Sequence, residues 1–440
     1  MKFYNRTSEL AELKRIQTLS FNDHSRLTVV TGRRRIGKTS LIMKSVEDLP
    51  TVYLFVGRKG EATLCSEFIP IISQSLDTFV PSEIRTFRSL FQYLMELASR
   101  KPFNLVIDEF QEFYNINESV YSDMQNIWDS YRKKSKMNLI VSGSVYSLMQ
   151  KIFQNKKEPL FGRADNIIKL SAFDLTTLKE IMSDYNPDYA NDDLLALYTF
   201  TGGVPKYVEL FCDNTPLAID EMISFMVRDN SPFTDEGKNL LIEEFGKNYA
   251  TYFSILSAIS GGINTQPEIE AALGGKSIGG QIKRLIEDYN IIVRQRPILA
   301  KEGSQAVRYE IQDNFIRFWF NYFDRNRSLI EIKNFVGLQG IIKSGYPTYS
   351  GIMLERYFKQ QFAESFQYRA IGSWWEPKGN QNEIDIVALK LEKNQAVVAE
   401  VKRQKKNFKP ELLAVKIEHL KNKLLPKYQI EAVCLSLEDM

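Results

Sequence analysis

The chain has 440 residues, 44% of them hydrophobic and 25% charged, and its 57 Lys and Arg against 54 Asp and Glu leave a formal net charge of +3. These values point away from a disordered or membrane class and predict about three domains at the usual roughly 100–200 residues each, while so small a net charge names no nucleic-acid partner. No apolar run approaches the roughly 20 residues of a membrane span, and His24 and His419, the only histidines, give a histidine-rich metal site or a Ser-His-Asp triad little to build on.

The start of the chain carries no apolar signal segment, and Cys65, Cys212 and Cys434 form no C-x-x-C pair. The expectation is a soluble cytoplasmic protein with reduced thiols and no membrane partner.

In chain order, residues 5–10 open a helix with Leu10, Leu13 and Ile16 at helical spacing. Phe3, Tyr4 and Arg6 then serve either as a platform for an adenine base or as the packed end of that helix. The apolar run from Leu27 to Val30 leads into G-R-R-R-I-G-K-T and a helix-like stretch from Ser40 to Val46. Strand, glycine loop and helix in that order are what a P-loop needs, because the glycines let successive N–H groups face one concavity at the positive end of the helix. Gly32, Arg33, Arg34, Arg35, Ile36, Gly37, Lys38, Thr39 and Ser40 are therefore the candidate ATP contacts. Lys38 would reach the β- and γ-phosphates and Thr39 would give its hydroxyl to Mg²⁺.

Residues 51–56 read as a continuous apolar strand, suited to a sheet covered on both faces. Residues 103–109 form an apolar strand ending in Asp108 and Glu109, the Walker B pattern, with Asp108 holding Mg²⁺ and Glu109 polarising the attacking water. The strand at 137–141 is followed by Ser142, Gly143 and Ser144, where either serine could sense the γ-phosphate or simply turn the chain. Arg163, in a loop after a lysine-rich helix, is the candidate arginine finger, with a plain surface cation as the alternative.

GRRRIGKTSL, LVIDEF, LIVSGS, PLFGRAD and TGGVPKY, in this order, resemble the archaeal-type P-loop ATPases of the AAA-related group, close to the STAND NTPases. The resemblance covers the first half of the chain. It implies a five-stranded parallel core with an ATP site over residues 1–171 and a helical lid over 172–235. The sequence departs from the pattern at the sensor strand, where many AAA proteins place Asn or Thr and this chain has serines.

Residues 236–325 read as a winged-helix domain. Thr265, Gln266, Pro267 and Glu268 form a capping box with an early proline, and strands at 291–298 and 306–311 flank a turn at 301–304 as the wing. Lys276, Lys283, Arg284, Arg294 and Arg296 could meet DNA phosphates, although Gly279 and Gly280 weaken the recognition helix and such domains also serve as protein spacers. The aromatic-dense stretch 309–320 is expected to be core. Residues 326–349, with Gly337, Gly340, Gly345 and Pro347, read as a connector.

In residues 350–440 the stretch 382–387 alternates acid and aliphatic, so Glu383 and Asp385 share one strand face, as do Glu400 and Lys402 in 397–402. Paired as a hairpin, these strands bring Asp385, Glu400 and Lys402 together, two carboxylates for a divalent ion and a lysine for the reacting water or phosphate; Glu355 could add a ligand. That spacing resembles the PD-(D/E)XK nuclease superfamily, without the proline before Asp385. The Gly351-x-x-x-Glu355 helix with Trp374 and Trp375 resembles the domain of unknown function often fused to archaeal-type ATPases. Eleven Lys and Arg against four Asp and Glu between Lys390 and Lys427 suit a nucleic-acid backbone or a solvated helix face.

The expected architecture is thus a multidomain α/β protein: a P-loop parallel sheet with a helical lid, a winged helix and a restriction-endonuclease-like α/β C-terminal domain. The expected function is ATP binding and hydrolysis, with Mg²⁺, that controls a nuclease-like, DNA-binding domain. The alternative is a STAND-like regulatory switch whose end domain only binds. A homo-oligomer or a protein partner is the further expected partner.

Overall fold

Unbroken runs of β-branched and aliphatic residues make strands that need cover on both faces, and the first half of the chain is built on five of them. In the computed structural model, which describes every residue except 246–248, 302 and 377–381, Phe3–Ala172 form one compact unit and Phe173–Met440, with Met1–Lys2, another. Glu302 of the expected wing turn lies outside the described residues. Among the described residues no helix is long and apolar enough to cross a membrane.

The first unit runs α1 (Thr7–Asn22), β1 (Arg26–Thr31), α2 (Lys38–Ser45), β2 (Thr51–Phe55), α3 (Glu61–Leu76), α4 (Phe87–Ala98), β3 (Phe103–Asp108), α5 (Phe113–Ile116), α6 (Ser119–Tyr131), β4 (Met137–Gly143), α7 (Tyr146–Gln154) and β5 (Asn166–Lys169). Its strands are parallel in the order β2-β3-β4-β1-β5. Parallel pairing puts every strand's C-terminal end on one edge, so the loops after β1, β3 and β4 open side by side. Phe91, Phe110, Phe113 and Trp128 fill the core against one face of the sheet, each contributing about 1.5–3 kcal/mol by burial. The expectation that β2 is covered on both faces is corrected: it is an edge strand, with Phe55 54% exposed and Tyr53 half-buried.

At the N-terminal ends of β2, β3 and β4 a buried amide cluster fixes the register. The Asn104 carbonyl accepts from Gln17 on α1 at 2.7 Å and from Asn138 on β4 at 2.9 Å, while its own amide donates to Thr51 on β2 at 3.1 Å. Such groups are tolerated inside because they pair with one another, although the Asn138 carbonyl oxygen is left without a partner.

The second unit continues with α8 (Leu175–Tyr185), α9 (Asn191–Thr201), α10 (Pro205–Cys212), α11 (Ile219–Met226), α12 (Glu236–Phe245), α13 (Tyr249–Ser260), α14 (Gln266–Ala272), α15 (Gly279–Glu287), β6 (Ile292–Gln295) and β7 (Arg308–Ile311). The capping box is formed: Thr265 and Glu268 cap α14 reciprocally. β6 and β7 pair antiparallel, but β6 stops short of the expected 298 because Pro297 has no N–H for the ladder. Ile298 instead donates its N–H to the Ser373 carbonyl at 2.8 Å and packs into the C-terminal core.

The aromatic stretch is core, as its composition suggests. In α16 (Asn314–Trp319), Phe315 stacks with Tyr207 at 4.4 Å and Phe318 with Phe200 at 4.9 Å between ring centres. The connector expected at 326–349 is corrected: α17 (Arg327–Glu331) is followed by α18, a 30-residue helix over Phe335–Glu364 that runs through Pro347. Gly and Pro cost roughly 1 and 3 kcal/mol in a helix interior. Burial of Leu338, Ile342, Tyr346, Tyr349, Met353, Leu354, Tyr357 and Phe358 along one stripe outweighs that.

The C-terminal sheet, β8 (Tyr368–Trp374), β9 (Ile384–Lys390), β10 (Gln395–Val401) and β11 (Gln429–Leu435), has the order β11-β10-β9-β8. β8, β9 and β10 form an antiparallel meander, and α19 (Pro410–Lys423) crosses over to β11, which lies parallel to β10.

Candidate functional site

The loop from Gly32 to Gly37 joins β1 to α2 at the C-terminal edge of the parallel sheet. Gly32 has a φ of +153°, and a Cβ there would lie 2.8 Å from the Leu170 carbonyl oxygen, so a side chain would push the loop off the neighbouring strand end. Lys38 is buried, and its ammonium donates to the carbonyl oxygens of Gly32 and Arg33 at 3.0 Å each. It therefore spans the loop that the N-terminus of α2 opens toward. Arg33 and Arg35 are half-buried, and Arg34 is exposed.

Asp108 ends β3 and gathers four donors. The Thr39 hydroxyl reaches Oδ2 at 2.8 Å and the Tyr53 hydroxyl the same oxygen at 2.7 Å; the Glu109 N–H reaches Oδ1 at 2.9 Å, and the Ser142 hydroxyl donates to Oδ1 as well. Burial alone would raise the Asp108 pKa, but these hydrogen bonds outweigh it and hold the carboxyl below its ordinary range. Tyr53 is shifted the other way, upward, by burial and then by its bond to Asp108.

Glu109 sits at a φ of +53°, which turns its side chain out of the strand toward the loop after β4. One carboxylate oxygen accepts from the Gln111 amide at 2.5 Å and from the Ser144 hydroxyl at 2.7 Å. Both serines of the sensor strand thus hold the Walker B carboxylates. Ser142, expected with Ser144 as a candidate γ-phosphate sensor, donates to Asp108 in this structure.

The donor set fits a nucleotide with Mg²⁺. A hydroxyl and an ionised carboxylate are hard oxygen ligands, and a lysine with the N–H groups of a helix start suits polyphosphate. Of the proposed adenine platform, Tyr4 is buried and Arg6 donates to the Ser171 carbonyl at 2.5 Å, which favours packing for these two; Phe3 is 44% exposed.

Arg163 lies elsewhere. It precedes β5 by three residues and pairs with Asp129 near the end of α6 at 3.1 Å, both at the N-terminal edge of the sheet. The six residues of β1 span about 20 Å at 3.3 Å each, so Arg163 has no route to its own P-loop.

In the second unit, the β9–β10 register pairs Ile386 with Ala399, and one step further Asp385 faces Glu400. Facing residues share a side of the sheet with Cα atoms about 4.5–5.5 Å apart. The Val401 N–H donates to Asp385 at 2.8 Å, and the Lys402 ammonium donates to Glu400 at 2.9 Å. Lys416 on α19, which the sequence did not single out, also reaches Glu400, at 3.0 Å. Glu355, half-buried on α18, has its pKa pushed up to about 7 by burial first and then by the negative charge of Asp385. Asp385 is likewise raised, by burial and by Glu400, against the pull of Val401 and Lys402. Burial would lower the Lys402 pKa, yet its bond to Glu400 and the surrounding carboxylates raise it.

Glu355, Asp385, Glu400 and Lys402 therefore share one electrostatic neighbourhood. Among the described residues, however, no group of three or more His, Cys, Asp or Glu is placed to hold a metal ion. Of the expected ligands Glu355, Asp385 and Glu400, the last is held by two ammonium groups, those of Lys402 and Lys416.

Tyr53 and Lys416 were missed because their partners lie 55 and 16 positions away, and Gln111 because nothing in its own stretch marks it as a donor to Glu109. The one signal for Tyr53 was a phenol hydroxyl in the middle of a largely apolar strand.

Residues 3–211 match an ATPase domain found predominantly in Archaea, and residues 319–412 match archaeal and bacterial proteins of unknown function. The chain is 30% identical over 402 residues to the uncharacterized protein MJECL04 of Methanocaldococcus jannaschii, covering 89% of this chain and 86% of that one. Its fold is similar to that of the Walker-type ATPase PABY2304 of Pyrococcus abyssi, with a TM-score of 0.52 at 19% identity over 72% of this chain and 96% of that one. With the P-loop, the Asp108 cluster and the parallel sheet in place, the chain belongs to the family of MJECL04 and carries an archaeal-type ATPase domain.

Proposed function

We propose that this protein binds ATP with Mg²⁺ and hydrolyses it at the C-terminal edge of the parallel sheet, and that its nucleotide state controls a nuclease-like, DNA-binding C-terminal domain. The observation that carries the ATPase reading is the convergence of Thr39, Tyr53 and Ser142 on an ionised Asp108 beside Glu109 and the P-loop. Thr39 and Asp108 would hold Mg²⁺, which neutralises charge on the phosphates when bound. Lys38 and the loop N–H groups bind the phosphates. Glu109, once it leaves Gln111 and Ser144, orients the water that attacks the γ-phosphorus as the bond to the β–γ bridging oxygen breaks. Lys38→Ala should abolish ATP binding, whereas Glu109→Gln should keep binding and lose hydrolysis by about 100-fold or more. Equal hydrolysis by wild type and Glu109→Gln would remove Glu109 from the mechanism.

In this reading the chain divides into an ATPase core at 1–171, a lid at 172–235, a winged helix at 236–325 and a nuclease-like domain at 350–440, with α18 joining the last two. Asp385 facing Glu400 with Lys402 alongside supports the nuclease-like part. Exposed Lys406, Lys409, Lys421 and Lys427 support a DNA backbone as partner. Asp385→Ala should then abolish Mn²⁺-dependent cleavage of DNA and leave ATP hydrolysis nearly intact. A second reading, a STAND-like switch whose end domain only binds, is favoured by the pairing of Glu400 with both Lys402 and Lys416. Wild-type protein that shows no divalent-dependent cleavage would decide for it.

A further inference from the structure

Three consecutive residues at the end of β10 are tied to three different places. Val401 donates its N–H to Asp385 on β9. The Lys402 N–H donates to the Leu435 carbonyl on β11 at 2.9 Å while its ammonium holds Glu400. Arg403 forks onto Asp192 in the first turn of α9, with Nη1 on Oδ1 at 3.0 Å and Nη2 on Oδ2 at 2.7 Å.

This pair is unlike an ordinary surface bridge, which contributes about 0–1 kcal/mol. Arg403 and Asp192 side chains are 21% and 34% exposed. The guanidinium also donates to Ser350 and lies 5.5 Å from the centre of the Tyr346 ring, and the Tyr346 hydroxyl is 3.2 Å from Asp192 Oδ1. A planar fork gripped on both oxygens and backed by an aromatic ring allows little sliding. Beyond Val401 no strand pairing steadies the chain, so the fork is the next anchor after the candidate lysine. The Asn191 amide adds a parallel tie, donating to the Leu437 carbonyl beyond β11 at 2.6 Å.

We infer that the Asp192–Arg403 pair is a latch: it couples the helices that follow the ATPase domain in sequence to the end of β10, and so sets where Lys402 stands against Glu400. The inference rests on the reading of Asp385, Glu400 and Lys402 as a working site. A displacement of α9 is carried by the fork to the residue next to Lys402, whereas loss of the fork leaves the strand end to the N–H bonds of Val401 and Lys402 and to the Lys402–Glu400 pair.

The test is hydrogen exchange in the full-length protein, read on peptides that report Val401 and Lys402. Asp192→Asn and Arg403→Gln should each speed exchange there by about tenfold, since a local opening is made easier. Arg403→Lys, which keeps the charge and loses the fork, should fall between. The double variant Asp192→Arg with Arg403→Asp should restore slow exchange. Exchange in β1 should not change in any of them, which separates loss of the latch from loss of the fold. Unchanged exchange at 401–402 in both single variants overturns the latch, even if wild type cleaves DNA. The expected exchange pattern in a protein that never cleaves DNA leaves the latch standing and overturns the nuclease-like reading instead.

Discussion

Asp108 and Glu355 are the same chemistry in opposite settings. Four hydrogen-bond donors keep Asp108 ionised against burial, whereas Glu355 is pushed up to about 7 by burial and then by the negative charge of Asp385. A carboxyl whose folded pKa lies above its unfolded value adds stability below the unfolded value, near 4.5, and that stability is lost as pH rises through about 7. Wild type should therefore lose about 1–3 kcal/mol relative to Glu355→Gln between pH 4.5 and 7.5. Paired denaturant titrations across that range would show it, and parallel curves for the two proteins would contradict it. If a divalent ion binds here it must displace the proton, so the rise in melting temperature with Mn²⁺ should be larger at pH 8 than at pH 6.

At the scale of elements, two glycines separate close contact from plain helix propensity. Gly203, between α9 and α10, has a φ of +73°, and a Cβ there would lie 2.6 Å from the Phe173 carbonyl oxygen, a backbone atom that cannot swing aside. Gly203→Ala should cost about 2–4 kcal/mol through strain and overpacking together. Gly340 lies exposed inside α18, and a methyl group added there would meet nothing within 4 Å. Gly340→Ala should stabilise the protein by about 0.5–1 kcal/mol. Thermal unfolding of the two variants should shift in opposite directions, and a shared sign would mean that the packing around α9 or α18 differs from that described. The same balance explains why α18 persists through Pro347: its buried aromatic stripe outweighs the local penalties.

At the scale of the molecule, Arg163 stands at the edge of the sheet opposite its own P-loop. If it acts as a finger it acts on a neighbouring subunit, so ATPase activity per molecule should rise with protein concentration, and Arg163→Ala should remove that rise. A flat specific activity from nanomolar to micromolar, in a protein shown to dissociate over that range, would rule the finger out. The basic C-terminal region is thinner than its composition suggests, because Lys402 and Lys416 hold Glu400, Arg403 holds Asp192, and Lys390 pairs with Glu431. If the protein binds DNA as proposed, the salt dependence of that binding should accordingly reflect the exposed lysines alone.

The P-loop, the acids that end β3, the capping box of α14 and the facing of Asp385 with Glu400 were legible in the sequence, because each is set by neighbours a few positions apart or by the two-residue period of a strand. Side-chain partners across long stretches of chain were not. Tyr53 and Ser142 find Asp108 only because β2 and β4 flank β3, and Arg403 finds Asp192 across 211 positions. The edge position of β2, the continuous α18 and the placement of Arg163 far from its own P-loop likewise depend on what packs against what. Local backbone preference is written residue by residue, whereas the choice of a partner is made by the free energy of burying whole surfaces together, and that only the tertiary structure decides.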